Sequence, residues 1–319
     1  MATRTRYAPD RGLTVRMTAT MFLLGLVFVA FVALIIGIMS ATHQSDGAII
    51  VVALIFGGGS AFISLFYSDK IALAAAGARE VSPRQAPELH AIVDRLCALA
   101  DMDKPRVAIA PTALPNAFAT GRNSKNSVLC VTEGILTRLE PEELEGVLAH
   151  ELSHVAHKDV QVMTYASLLA IVAGLLVRFA FYSEIFGGGR GRGGNNSQAA
   201  LLIPLIMLAS AVVYAISFLL IRVLSRYREL AADRSGALLT GNPAALASAL
   251  QKVSGSIARI PTKDLRSAEP LNALAFAPAL KPNGQSLSNL FSTHPSLQKR
   301  LEQLAKIQAQ LNETTPDAR

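Results

Sequence analysis

The sequence predicts a mainly α, integral membrane protein, with four transmembrane helices and polar segments that together form a small α+β domain carrying a short sheet. Three observations carry that expectation. Of the 319 residues 51% are hydrophobic and only 17% charged, with a mean hydropathy of +0.38, which is too apolar for an ordinary soluble domain. Four apolar runs each approach the roughly 20 residues that a spanning helix needs. The polar sequence between and after them alternates helical periodicity with short β-rich pieces.

Residues 1–16 form a basic arm with Arg4, Arg6, Arg11 and Arg16, and residues 17–67 contain the first two spans, 17–39 and 48–67. The first run is too long for a signal peptide and no small-residue cleavage pattern clearly follows it, so it reads as an uncleaved span. The connection "ATHQSDG" has no Lys or Arg, which places the N-terminus in the cytoplasm. Residues 68–159 then form a cytoplasmic segment, and residues 160–224 contain two more spans, 160–182 and 199–224. These are joined by a Gly-rich external loop, 183–198. Arg190 and Arg192 in that loop run against the charge rule; the other three polar regions agree with it. Residues 225–319 return to the cytoplasm, opening with Arg226 and Arg228.

The calculated pI of 9.6 follows from cytoplasmic flanks that meet anionic lipid, so the bilayer is an expected partner. No basic-aromatic module appears, and nucleic acid is excluded as a partner. Cys97 and Cys130 are isolated, with no Cys-x-x-Cys, which points to neither a disulfide framework nor a thiolate metal site. Asn195-Asn196-Ser197 matches a glycosylation acceptor, but so short a pattern arises often by chance.

Within residues 68–159, "PELHAIVDRLCALADM" spaces Leu89, Ile92, Val93, Leu96 and Leu99 as an amphipathic helix. After Pro105, "RVAIA", "NAFATG" and "SVLCVT" read as strands of a small sheet. "LEPEELEGVLAHELSHVAHKD" restarts helical periodicity, with Pro141 suited to the first turn and glutamates at the positive end of the helix dipole.

That helix contains His150, Glu151 and His154 in the spacing His-Glu-x-x-His. Residues i and i+4 stand on one face about a turn apart, so two imidazoles reach one metal ion and the Glu leans toward its water. A polar helix face with two chance histidines is the plain alternative, and a third ligand decides between them. His157 is on the same face but about 10 Å along the axis from His150, too far to share the ion. Beyond the fourth span, "LSRYRELAADRSGALLTGNP" forms a helix ending at Gly241-Asn242-Pro243. Its Glu229 and Asp233, again one turn apart, supply a carboxylate ligand and a second carboxylate to receive the outer N–H of a ligand histidine. Alone, that pair reads better as a solvated face pairing with Arg226 and Arg228 than as part of a metal site. Membrane topology favours the ligand reading, because an even number of spans separates the two half-sites and both emerge on the cytoplasmic side. Two His and one Glu leave a fourth position open, the pattern of a catalytic zinc site with one ion per chain.

Taken together, "HELSH", "SRYRELAAD", "PNAFATG" and "FSTHPSLQKRLEQL", four separated motifs in order, resemble the HtpX-type membrane zinc metalloproteases, relatives of the CAAX prenyl endopeptidases. The resemblance runs from the first span to about Leu304. It implies a zincin-like α+β metalloprotease domain on the cytoplasmic side of a bacterial inner membrane. It makes His150, His154 and Glu229 the ligands, makes Glu151 the catalytic base, and places Asn116 to Gly121 on an edge strand bordering the cleft. It also implies a role in clearing misfolded or damaged membrane proteins under stress, with unfolded membrane-protein substrates and other membrane proteases as partners. Where the resemblance leads one to expect Asn or a similar small polar residue, this chain has His157.

The chemistry implied is peptide hydrolysis by water, with Glu151 taking and then returning the proton and no covalent enzyme intermediate. His294 and Arg300 in "THPSLQKR" are candidate oxyanion donors, against a reading of His294-Pro295 as a helix start and Arg300 as a surface charge. Substrate backbone would pair with Asn116, Ala117, Phe118 and Ala119 by strand addition. His154 and Glu229 lie a few residues from apolar runs, so the site is expected on the order of 10 Å from the membrane surface. Two alternatives stand beside this reading. One is a prenyl-protein endopeptidase, for which more than four spans would be expected. The other is a zinc-stabilised membrane scaffold, which would not need Glu151.

Overall fold

The structure is a computed structural model that describes residues 11–41, 59, 62–63, 66–121, 124–167, 170–172, 174, 197–258 and 294–314. It divides into two compact units.

One unit comprises Thr14–Ser64 and Val162–Leu224. Helix α1 (Arg11–Ala41) contains the first apolar run. Two stretches, Thr14–Phe31 and Met207–Thr240, are long and apolar enough to cross a membrane, and a shorter apolar helix covers Asp159–Val172. Leu24 and Phe31 pack with Ala166, Val172, Val213 and Leu224. Phe22 and Leu208 instead point outward, 72% and 63% exposed. Large outward apolar side chains on helices of this length suit contact with lipid. Most of the expected second span, the end of the third and nearly all of the Gly-rich loop lie outside the described residues.

The other unit comprises Leu65–Gln161 and Ser225–Arg319, together with the N-terminal Met1–Leu13. Its first helix, α2, occupies residues 66–76. It is followed by β1 (Arg79–Glu80), α3 (Pro87–Ala100), β2 (Arg106–Ala110), β3 (Ala117–Gly121), β4 (Ser127–Thr132), a single helical turn α4 (Glu133–Leu136) and α5 (Pro141–Ala156). The sheet order is β1-β2-β4-β3, with β2 and β4 parallel and the outer pairs antiparallel. Every residue of β4 is buried, because the sheet is covered on both faces. Val107, Ala117, Leu129 and Val131 face the core built from α3 and α5. Ala108, Ala110, Phe118, Val128 and Cys130 pack with Ala72, and Leu73 and Ala76 of α2 lie against them. Two-sided cover explains why "SVLCVT" runs apolar without clean alternation. Arg106 on β2 pairs with both Asp69 and Glu80, tying the start of α2 to the sheet.

In α3 the buried stripe is Leu89, Val93, Leu96, Cys97 and Ala100. Leu99, which spacing alone assigns to that stripe, is 37% exposed. It sits about 100° around the axis from the stripe's centre, at 3.6 residues per turn.

Among the described residues, α6 is the helix over Asp159–Val172, followed by α7 (Ser197–Thr240), α8 (Pro243–Ala258) and α9 (Leu297–Thr314). The fourth apolar run and the helix bearing Glu229 and Asp233 are therefore one element. The sequence reading treats them as neighbours; no Gly or Pro interrupts residues 205–235, and nothing there stops the helix.

Candidate metal centre and active site

Helix α5 is built to start sharply. Pro141 occupies its first turn, and Glu140 and Glu143 form a reciprocal capping box. Glu143 accepts further bonds from Ser248 Oγ at 2.6 Å and Lys252 Nζ at 2.7 Å, which pin α8 to that turn. Two glycines let the neighbouring helices approach closely. A Cβ on Gly146 would lie 3.2 Å from Leu246 backbone atoms, and one on Gly236 would lie 2.9 Å from His150 N. Gly236 therefore sets how near α7, with its carboxylates, comes to the histidines. Gly236→Ala is expected to force the two backbones apart, costing about 1–3 kcal/mol of stability as overpacking does. Melting midpoints of the metal-free protein check this, and an unchanged midpoint would mean the helices yield without cost.

The packing brings His150, His154 and Glu229 together, with one ligand atom from each within 4.8 Å of the others. His150 Nε2 and His154 Nε2 are 3.3 Å apart. Glu229 Oε2 lies 3.7 Å from the first and Oε1 lies 3.6 Å from the second. A tetrahedral ion with ligand bonds of about 2.0–2.2 Å needs ligand atoms about 3.3–3.5 Å apart; the two imidazole nitrogens meet that spacing, and the Glu229 carboxylate turns a different oxygen to each ring at a few tenths of an ångström more. Both Nδ1 atoms face carboxylates. His150 Nδ1 is 2.9 Å from Asp233 Oδ1, and His154 Nδ1 is 2.6 Å from Asp159 Oδ2. This leaves both Nε2 atoms turned inward.

The electrostatics follow from depth. Burial lowers the His150 pKa despite the opposing pull of Asp233, which favours the neutral ring that a ligand needs. Burial also disfavours charge on Glu229, but His294, then His154 and His150, outweigh it and hold the carboxyl well below its usual range. At His154 burial is likewise outweighed, here by Asp159, with Glu229 and Glu151 adding to the rise. A proton and a metal therefore compete for this nitrogen, and metal affinity falls as pH falls. Burial pushes Glu151 up to about 8, against His154 and helped by Glu229.

Glu151 is buried, and its Oε2 accepts the Ala119 N–H at 3.1 Å. Ala119 is the middle of β3, the outer strand next to β4, so the sheet edge and the carboxylate meet. Asn116 is buried just before β3, where its backbone N–H donates to Thr132 Oγ1 at 2.9 Å. Ala117 and Phe118 are buried, one toward each core. His294 Nδ1 stands 3.0 Å from Glu229 Oε2. Arg300 is 1% exposed and forks onto Asp233, Nε at 2.8 Å and Nη2 at 2.7 Å. That geometry gives Arg300 the task of holding Asp233 and removes the surface-charge reading, while its Nη1 lies 4.0 Å from Glu229 Oε2. His157 is the C-cap of α5 and lies outside the ligand set.

Sequence reasoning misses Asp159. A signal for it exists in the chain: it is an acidic residue just before an apolar run and five positions after a candidate ligand. Its contact depends on a backbone reversal that spacing does not show.

Residues 83–308 match peptidase family M48. The chain belongs to peptidase family M48. It is 56% identical over 310 residues to Protease HtpX homolog 1 of Streptomyces coelicolor, covering 97% of each chain. It is 51% identical over 311 residues to the Protease HtpX homolog of Moorella thermoacetica, covering 97% of this chain and 99% of that one. Among solved structures it resembles S. mikatae Ste24p, with a TM-score of 0.51 and 16% identity, covering 92% of this chain and 66% of that one. At that identity the likeness concerns the fold alone. M48 membership with these HtpX relatives makes the chain an HtpX-type membrane metalloprotease.

Proposed function

We propose that this M48 protein is a zinc-dependent endopeptidase that cleaves cytoplasmic or juxtamembrane segments of misfolded or damaged membrane proteins, with both termini and the active site on the cytoplasmic side of a bacterial inner membrane. The observation that carries the metal reading is the three-sided cage of two Nε2 atoms and one carboxylate, with Glu151 beside it and outside the ligand set. His150, His154 and Glu229 would hold the ion, one per chain. When bound, zinc supplies a Lewis acid that lowers the pKa of a water and polarises a carbonyl, and its charge favours the ionised form of Glu151.

The chain's own groups do the rest. Glu151 accepts a proton from the attacking water and returns it to the leaving amine. Its position is set by the Ala119 N–H. An extended peptide would add to β3 beside Ala119, whose N–H Glu151 holds in this structure; strand addition reads backbone more than side chains and suits unfolded substrates of varied sequence. His294 and Arg300, both beside Glu229, are the candidates to face a developing oxyanion. Within α7, Glu229 follows Leu224 by five residues, about 8 Å of helical rise, so the site lies near the end of an apolar stretch.

The test joins cleavage to topology. In proteoliposomes, the zinc-loaded chain is expected to cut an unfolded membrane substrate at segments on its own domain's side, and chelation is expected to stop it. On intact cells, an impermeant thiol reagent should label cysteines placed at Ser45 and Ser197 and miss one placed at Asp94. Asp94 is the right internal reporter because its side chain is 60% exposed. Native Cys97 is buried, with its thiol pushed up to about 11 chiefly by burial, and would stay silent on either side. The reverse labelling pattern would turn the site outward and remove the quality-control reading.

A further inference from the structure

Each candidate ligand histidine is backed by a carboxylate, and each carboxylate by an arginine. The first relay runs Arg300, Asp233, His150. The second runs Arg228, Asp159, His154, with Arg228 Nε 2.9 Å from Asp159 Oδ2. We propose that Asp159, held by Arg228, is a positioning residue for His154, fixing the tautomer that turns Nε2 into the cage. The inference rests on the metal-site reading above.

Three observations carry it. Asp159 is 2% exposed and its Oδ2 lies 2.6 Å from His154 Nδ1, so an Nδ1–H donated there leaves the lone pair on Nε2. That atom is the one 3.3 Å from His150 Nε2 and 3.6 Å from Glu229 Oε1. The second observation is the backbone. On a continued helix, a residue five positions on would point about 140° away from His154. Instead α5 ends at Ala156, His157 caps it, and Lys158 takes φ 57°. A non-glycine residue pays for that left-handed conformation, and here the turn carries Asp159 back over the histidine. The third is the partner. Arg228 directly precedes Glu229 on α7, so the Arg228–Asp159 pair joins the helix bearing one ligand to the segment that follows the helix bearing the other two. The two relays thus hold the cage from the outer nitrogen of each histidine.

The competing account is a buried ion pair that only supports the fold. The experiment uses the full chain in detergent, stripped of metal and titrated with Zn²⁺ against a competing chelator, with the metal-free melting midpoint measured in parallel. Asp159→Ala should weaken zinc binding by about 10- to 100-fold, the range for partners that orient a ligand. Asp159→Asn keeps the size and an oxygen that can stand where Oδ2 now meets both His154 and Arg228, but loses the charge that holds them there, and should fall between that and wild type. Arg228→Lys keeps a cation beside Asp159 and should retain near-wild-type affinity. If Asp159→Ala does not fold, Asp159→Asn carries the comparison. Wild-type zinc affinity in a folded Asp159→Asn and Asp159→Ala, or a lowered metal-free midpoint with affinity untouched, would overturn the positioning role alone. A wild-type chain that binds no zinc would overturn both this inference and the metal site.

Discussion

Glu151→Gln keeps zinc bound and lowers proteolysis by about 10²- to 10⁴-fold, the range for loss of a general base. Glutamine matches glutamate in size and still offers an oxygen to the Ala119 N–H, the contact that sets the position of this side chain. It cannot take a proton from water. Glu151 is outside the ligand set, so the cage itself is untouched and metal content should match wild type. The readouts are zinc per chain and the rate of cutting unfolded casein, together with self-cleavage in detergent, where the chain's own C-terminal stretch "NETTPDAR" is on the active-site side in the proposed topology. A zinc-replete Glu151→Gln protein that cuts at the wild-type rate would move the proton to another group. It would also remove the distinction between enzyme and scaffold drawn from this residue.

Glu229→Ala takes away one of three ligands, and zinc affinity is expected to fall by more than about 100-fold, beyond the range for residues that only orient a ligand. The side chain is buried, with His154, His150, His294 and Arg300 around it. Its removal therefore leaves several buried donors facing one another without their shared acceptor, and the metal-free protein should also melt earlier. Zinc stabilises the folded chain in proportion to the logarithm of its concentration over Kd, so the rise in melting midpoint on adding zinc should shrink in the variant. Unchanged affinity and an unchanged zinc-dependent rise would displace Glu229 from the ligand set and reopen the reading of Glu229 and Asp233 as an ordinary helix face.

Much of the site is legible because it is written in helical periods. His150 and His154 are one turn apart on one helix, as are Glu229 and Asp233 on another, and each pair needs only the 3.6-residue repeat to be placed on a common face. The three strands β2, β3 and β4 are legible for a similar reason, being short runs with β-branched or aromatic residues bounded by Pro, Gly, Asn and Ser. By contrast β1 is two residues long and has no pattern to read. The cover that α2 gives the second face of the sheet falls within a run whose apolar character resembles the span before it. Leu99 shows the same limit on a smaller scale: the spacing admits it to the stripe, and the width of the buried face leaves it out.

Local spacing is enough to say which residues share a face, which runs suit lipid, and which pair of helices has to meet for a metal to be held. It contains no information about what stands behind those faces. Asp159 reaches His154 only because Lys158 adopts a left-handed backbone at the end of α5. Arg300 becomes a buried partner of Asp233 only because α9 packs where it does, with Leu304 and Ile307 in the same core as α5 and α8. Gly236 matters only because His150 lies across from it on another helix. These contacts join residues far apart in the chain or turn on one dihedral angle. Neither leaves a periodic trace, since a period records neighbours on one element and a hydrogen bond between elements depends on where each has come to rest.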